Sequence, residues 1–318
     1  MAKGHDVHSF TQLPPKAWWS VIKQVYTKIQ EHNLSLIAAG VAFYFLLAIF
    51  PLLAGIISLY GLLVTPENLQ AHMNTLLEAV PQESRDILQE QMRNLMEKSD
   101  ATLGSGVLLS LLITVWSSSK GANALITACN ITYYESTHRG FFRAILARMG
   151  FTLSGIAIIV FALLAMTVLP DLISWLGGYK LSDTEAKWIT WPALIVMFNA
   201  TLAALYRYGP HRKKAKWRWV TVGSCSATVL WLLATFAFSW YLQSFGAYDK
   251  TYGSVGGIIV LLMWMYISAF IILLGAEINS AIELQTTEDS TVGEDQPMGE
   301  RGAFVADNTP EGLKEKRK

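Results

Sequence analysis

The sequence has few charged residues for its length. Asp, Glu, Lys and Arg make up 15% of its 318 residues and hydrophobic residues make up 52%, whereas an ordinary soluble domain carries about 25% charged residues. This shortage excludes an ordinary soluble domain and indicates several membrane spans. The remaining charges nearly cancel, to a net +1, so the composition gives no support for a nucleic-acid partner.

Residues that build reactive sites are also scarce. The two cysteines, Cys129 and Cys225, lie in apolar segments and have the spacing of neither a disulfide framework nor a metal site. The six histidines are scattered along the chain, and there is no glycine-rich phosphate loop and no Gly-x-Ser-x-Gly motif. We therefore expect no bound metal, no cofactor and no enzymatic activity.

The chain has long apolar runs instead. The first starts near Leu34, behind a polar N-terminus, and is too long for a cleaved signal peptide, so we expect it to remain as an anchor. A helix needs about 20 residues to cross a bilayer core. The sequence predicts an all-α polytopic membrane protein with six transmembrane helices, at about 34–64, 103–124, 151–169, 188–206, 219–245 and 258–282.

Three segments flank or interrupt this transmembrane domain of residues 34–283. Residues 1–33 predict an amphipathic helix, because Trp18, Ile22, Val25 and Ile29 share one helical face; it lies either on the membrane surface or against the underside of the protein. Residues 65–102 predict a short insertion of two amphipathic helices on the outer side. Residues 284–318 are polar without periodicity and predict a disordered cytoplasmic tail.

Lysine and arginine are distributed unevenly among the connecting segments. Of the 25, eighteen lie in 1–33, 134–150, 207–218 and 284–318, six lie in 65–102, 171–187 and 246–252, and Lys120 is the last. Connecting segments rich in positive charge stay on the cytoplasmic side. The distribution therefore predicts that both termini are cytoplasmic.

The second apolar run contains an unusual polar stretch. Ser117, Ser118 and Ser119 precede Lys120, which is the only charged residue between positions 100 and 135. A charge inside a span usually faces the bundle interior, a partner or water. Lys120 therefore either lines a cavity for an anionic headgroup or solute, or extends its ammonium group to the cytoplasmic interface.

Glu277 lies in the last span at a depth similar to that of Lys120. Equal depth and opposite charge suggest an ion pair between Lys120 and Glu277, and a structural pair is favoured over a proton relay. Together with nearby polar residues, these side chains predict one polar cavity that opens toward the cytoplasm. Its candidate lining residues are Ser117, Ser118, Lys120, Asn130, Glu277 and Asn279.

The densest positive cluster lies at 207–218. Its basic side chains either bind anionic lipid headgroups or serve only as the topological anchor. The candidate headgroup residues are Arg207, Arg212, Lys213, Lys214 and Lys216. A glycine-rich segment at 252–257 likewise has two interpretations, a ligand site on free backbone groups or close helix packing.

Several short motifs occur in a fixed order along the chain. They are Ala38–Phe45 before Phe50-Pro51-Leu52, Trp116-Ser117-Ser118, Asn130-x-x-Tyr133 with Arg139, Tyr206-Arg207-x-x-Pro210, Tyr252-Gly253-Ser254 with Trp264, and Gly275-Ala276-Glu277-Ile278-Asn279. Over about residues 30–283 this set resembles the YihY/BrkB family of bacterial inner-membrane proteins. The resemblance implies six spans and an inner-membrane location.

The resemblance also suggests a broad function. Members are linked to serum resistance and envelope integrity, which implies transport or handling of lipids or small solutes for envelope maintenance. The partners expected are membrane lipids or a small amphiphilic or anionic solute, with no nucleic acid. Some members have carried a ribonuclease BN label, which these residues do not support. The alternative is a non-transporting scaffold that docks through its outer insertion; the oligomeric state is not determined by these residues.

Overall fold

The fold is entirely α-helical in the part of the chain that the structure describes. This computed structural model describes residues 14–60, 80–99, 106–135, 141–177, 183–244 and 254–310, together with 70, 74 and 77. These residues form eight α-helices and no β-strand, which confirms the predicted all-α class. The helices are α1 (Pro15–Glu31), α2 (Leu34–Tyr60), α3 (Gln82–Ser99), α4 (Gly106–Thr132), α5 (Phe141–Gly177), α6 (Asp183–Tyr208), α7 (Thr221–Ser244) and α8 (Ser254–Glu283).

Five of the described helices are long and apolar enough to cross a membrane, so the protein is a multi-pass membrane protein. The candidate spans are Leu34–Ile57, Ala144–Ala165, Trp188–Tyr208, Thr221–Gln243 and Gly256–Glu283. The predicted second span falls in α4 and is not among them. Three serines and Lys120 make the middle of α4 polar, and six spans therefore remain a prediction.

The last span, α8, lies at the centre of the helix bundle, where it packs against α1, α2, α3, α4 and α7. At its crossing with α7, the Asn279 side chain accepts a hydrogen bond from the Gly223 amide at 2.7 Å and donates one to the Val220 carbonyl at 3.0 Å. The Tyr206 hydroxyl donates to the Ile272 carbonyl at 2.7 Å. Buried polar groups at this crossing are thus satisfied between helices, as a membrane interior requires.

The N-terminal helix buries a face that matches the predicted one only in part. Ala17, Val21 and Val25 are buried, together with Lys28, whereas Ile22 is 58% exposed. The buried face contacts Trp219, Ala281 and Ile282. The helix therefore packs on the protein, and its opposite face, with Trp19 and Tyr26, is exposed. Of the predicted face, Val25 is buried and Trp18 and Ile29 pack against the same cluster, so only Ile22 was placed wrongly. The helix also buries small residues and a paired lysine, which apolar periodicity alone does not detect.

The predicted disordered tail is wrong for residues 284–310, which are folded. Leu284, Thr291 and Val305 are fully buried. The segment pairs with the basic loop: the Lys213 amide donates to the Gly302 carbonyl, the Lys216 amide to Ser290, and the Val292 amide to Lys214. Two kinds of contact order the segment: Leu284 and Val305 join the main hydrophobic cluster, and hydrogen bonds to backbone groups hold it to the basic loop. Hydrophobic periodicity along the chain does not report such hydrogen bonds.

Two other predicted boundaries also bear on the fold. The third span was predicted at about 151–169, but α5 continues through Pro170 to Gly177; a proline within a helix can bend it without ending it. Of the predicted outer insertion, the second helix is present as α3, with Leu88 and Met92 buried. Of the first predicted helix of the insertion, only residues 70, 74 and 77 are described, and all three are helical. The segment 246–253 lies outside the described residues.

Candidate functional site

A polar cavity of about 420 Å³ opens between α2, α4 and α5. Lys120 and Arg148 supply its two cationic groups, and Tyr44, Asn123 and Thr127 supply neutral polar groups. None of the described lining residues is acidic. Its remaining lining residues are Ile37, Gly40, Val41, Ala124, Ala128 and Ile131.

A second cavity, of about 380 Å³, is almost entirely apolar. It lies between α2, α4, α5, α6, α7 and α8. Aromatic and aliphatic side chains form its wall, including Phe45, Phe198, Trp231 and Trp264. Two of its polar side chains are bonded within the protein: the Thr152 hydroxyl donates to the Arg148 carbonyl and the Trp231 indole donates to Ser268. The buried indole N–H of Trp264 has no hydrogen-bond partner among the described residues.

The two cavities follow one another along the same three helices. On α2 the polar cavity uses residues 37–44 and the apolar cavity 45–52; on α5 the polar cavity uses Arg148 and the apolar cavity 151–159. On α4, Lys120 lines the first and its neighbour Gly121 the second. The polar cavity is nearer the basal end, which we define as the end where α1, the loop 209–216 and residues 284–310 meet. The pair has the shape of a site for a molecule with one polar and one apolar end.

The structure does not bring the predicted cavity residues together. Lys120 lines the polar cavity and Ser118 the apolar one. Ser117 is half-buried and lines neither of these cavities. Asn130 accepts a hydrogen bond from the His211 amide at 2.7 Å and so ties α4 to the basic loop, and Asn279 belongs to the crossing of α7 and α8.

Glu277 pairs with α1 and not with Lys120. Its carboxylate lies 3.4 Å from the Lys28 ammonium and 2.5 Å from His32 Nδ1. The Lys28 ammonium also donates to the Ser280 hydroxyl at 2.7 Å and lies 4.7 Å from the centre of the Tyr134 ring. The hypothesis of a Lys120–Glu277 pair was therefore wrong, because α1 folds back onto α8 and supplies the cation locally.

Most of the basic loop is engaged within the protein. Arg212 is buried and donates to Glu283 at 2.9 Å, and Lys216 donates to Asp295 at 3.0 Å and to the Asp289 carbonyl. Burial lowers the pKa of Arg212, but the Glu283 carboxylate outweighs burial and raises it above its usual value. Ser290 donates a second hydrogen bond to Glu283.

The remaining headgroup candidates lie beside aromatic rings. The Arg207 guanidinium is 4.4 Å from the Trp217 ring centre, and the Lys214 ammonium is 5.0 Å from that of Tyr208. Lys213 is half-buried, and its backbone amide bonds to Gly302. Aromatic rings beside cations suit a membrane interface, so Arg207 and Lys214 remain candidates, whereas Arg212 is committed to Glu283.

Sequence reasoning missed Arg148 as a partner of Lys120 in the polar cavity. Arg148 was counted only among the positive residues of a cytoplasmic loop, yet α5 begins at Phe141 and carries this residue into the bundle. Its Nε donates to the Ala144 carbonyl at 3.3 Å. The available signal was its position just before an apolar run, where a long cationic side chain reaches back to the interface.

Comparison with known proteins identifies relatives over most of the chain. The sequence profile of the family described as "Virulence factor BrkB" matches residues 25–299. The ribonuclease-like protein YfkH of Bacillus subtilis is 28% identical over 272 residues, which cover 83% of this chain and 95% of that protein. A UPF0761 membrane protein of Psychromonas ingrahamii is 24% identical over 283 residues, covering 87% and 93%. No solved structure matches the chain.

Proposed function

The chain belongs to the BrkB family, and from this premise we propose that it binds and moves membrane lipids or similar amphiphiles. The observation that carries the proposal is a pair of neighbouring cavities, one polar and one apolar, which are lined by successive stretches of α2 and α5 and by adjacent residues of α4. Volumes of several hundred Å³ with mostly apolar walls and a few polar groups are typical of small-molecule sites. A packed bundle with no such space would instead favour a scaffold.

We also propose a bacterial inner-membrane location with both termini in the cytoplasm. The excess of lysine and arginine at the basal end supports this orientation, and the folded segment 284–310 packs at the same end as α1. Reporter fusions after residue 318 and before residue 1 test it. Activity of a cytoplasm-only fluorescent reporter at both ends is expected, and activity of a periplasmic phosphatase at either end would contradict the orientation.

The name of the Bacillus relative suggests a ribonuclease, but no observation on this chain favours that activity. Two of the basic groups that an RNA backbone would need at the loop are engaged: Arg212 with Glu283, and Lys216 with Asp295. We propose that the protein is not an enzyme and has no nucleic-acid partner.

The apolar cavity offers a direct test of lipid handling. Gly155 lines it, and a Cβ added there meets nothing within 4 Å, so we expect the ring of Gly155→Phe to occupy part of the cavity. Gly150 lies on the same helix, is exposed, also has open space around it, and lines neither cavity. Gly150→Phe is therefore the matched control.

The experiment measures transfer of a fluorescent phospholipid between the leaflets of vesicles that contain the purified protein. We expect faster transfer than in protein-free vesicles, loss of that increase in Gly155→Phe, and retention in Gly150→Phe. Mass spectrometry should likewise show that wild type and Gly150→Phe retain more lipid through purification than Gly155→Phe does. Wild-type protein that neither retains nor transfers lipid would overturn the proposal and favour a scaffold.

A further inference from the structure

We propose that the polar cavity selects lipids whose headgroup is a phosphate with net negative charge, and that Lys120 and Arg148 are the two residues that contact it. The inference deepens the proposed function and rests on it, since it names the class of lipid. Neither residue forms an ion pair with an acidic group among the described residues.

The first argument is charge balance. Two cations face one cavity, and no acidic residue lines it among the described residues. A charge within a membrane protein is costly unless a partner or water compensates it. A phosphate between the two cations would neutralise both, and basic pockets between transmembrane helices on the cytoplasmic side are known sites for anionic headgroups.

The second argument is geometry. Lys120 projects from α4 and Arg148 from α5, so the two cations approach the cavity from different helices. The Arg148 Nε bonds to the Ala144 carbonyl, which fixes the start of the guanidinium group while its terminal nitrogens extend further. Arginine binds phosphate through two parallel hydrogen bonds and lysine acts as a point charge. Together they suit one phosphate group.

The third argument excludes zwitterionic headgroups. Choline and ethanolamine carry a positive charge, which is recognised by a carboxylate or by several aromatic faces. The described wall of the cavity offers one aromatic residue, Tyr44, and the neutral groups of Asn123 and Thr127. A third positive charge beside Lys120 and Arg148 would be repelled. The acyl chain of the bound lipid then occupies the neighbouring apolar cavity, where each buried methylene contributes about 0.8 kcal/mol to binding.

The test is competition between two lipids on the full-length protein. Native mass spectrometry counts phosphatidylglycerol and phosphatidylcholine bound from an equimolar mixture with identical acyl chains. We expect a preference for phosphatidylglycerol, reduced about fivefold by Lys120→Gln and by Arg148→Gln, since one basic residue near a membrane surface contributes about that factor. Lys120→Arg keeps the charge and should retain the preference. Lys23→Gln removes an exposed lysine of α1 and is the control.

The outcomes separate the two proposals. Equal binding of both lipids, or a preference that survives both glutamine variants in protein of unchanged melting temperature, overturns the headgroup assignment and leaves lipid handling intact. No retained lipid of either kind overturns the proposed function itself. The last measurement is the binding of soluble glycerol phosphate to the same protein. If it binds as tightly as the lipid, the occupant is a soluble anion and the headgroup assignment is wrong; we expect it to bind much more weakly.

Discussion

Lys28 of α1 and Glu277 of α8 form a buried ion pair, with 3.4 Å between the ammonium nitrogen and the carboxylate and side-chain exposures of 2% and 0%. The pair ties the amphipathic N-terminal helix to the central span. His32, which caps the C-terminal end of α1, contacts the other carboxylate oxygen. One acidic side chain thus holds two groups of α1, immediately before the helix that lines both cavities.

We predict that Lys28→Met destabilises the protein by about 3–5 kcal/mol, because it leaves the Glu277 charge buried with one partner fewer. The double variant Lys28→Met/Glu277→Gln should recover much of the loss, since it removes the unpaired charge. Thermal melting in detergent measures both. Lys120→Met is the control and should melt close to wild type; a double variant no better than Lys28→Met would contradict the pairing.

We predict that Gly223→Ala destabilises the crossing of α7 and α8. An added Cβ would overlap the Gly275 carbonyl and the Asn279 side chain, and forced repacking of a tight core typically costs about 1–3 kcal/mol. Gly150→Ala is the matched control on another span, because nothing lies within 4 Å of its added Cβ. A Gly223→Ala protein as thermostable as the control would show that the helices can separate freely.

We predict that Arg301→Gln loosens the C-terminal segment without unfolding the spans. The Arg301 side chain donates to the carbonyls of Thr287, Glu288, Gln296 and Ala306. Glutamine cannot reach four acceptors, so limited proteolysis should cut within 284–310 sooner while the melting temperature changes little. Glu300→Gln alters the exposed neighbour and serves as the control. Unchanged cleavage would mean that the contacts with the basic loop are enough to keep residues 284–310 folded without Arg301.

We predict that the same segment loosens in acid through Asp289. Burial acts to raise its pKa, but hydrogen bonds from the Gln296 amide and from Thr291 outweigh burial and lower the pKa below the usual 3.8. The charged form is therefore stabilised by folding, and this contribution is present above pH 3.8 and lost as the pH falls from there through the lowered pKa.

Hydrogen exchange of peptides within 284–310, corrected for the intrinsic effect of pH, measures this loss. In wild type, protection should fall as the pH drops below about 3.8. In Asp289→Asn the protection should be weaker at neutral pH and should change less over the same window. An identical pH profile in both proteins would assign the acid sensitivity to other carboxylates.

Three residues show which parts of the candidate site could be predicted from the sequence and which could not. Lys120 was identified because a charge in an apolar run is conspicuous in one dimension, and it does line a cavity. Arg148 was missed because it precedes its apolar run and resembles a loop residue. Glu277 was given the wrong partner, since depth along the membrane normal does not tell which of several helices is adjacent.

The sequence by itself determined the helical class, the membrane location and the charge asymmetry, because these follow from composition and from periodicity along the chain. Only the tertiary structure decided that Lys28 pairs with Glu277, that residues 284–310 fold against the basic loop, and that Lys120 and Arg148 share one cavity next to an apolar one. The reason is physical: hydrogen bonds, ion pairs and cavities arise between residues far apart in sequence, and their partners are fixed by how the helices pack.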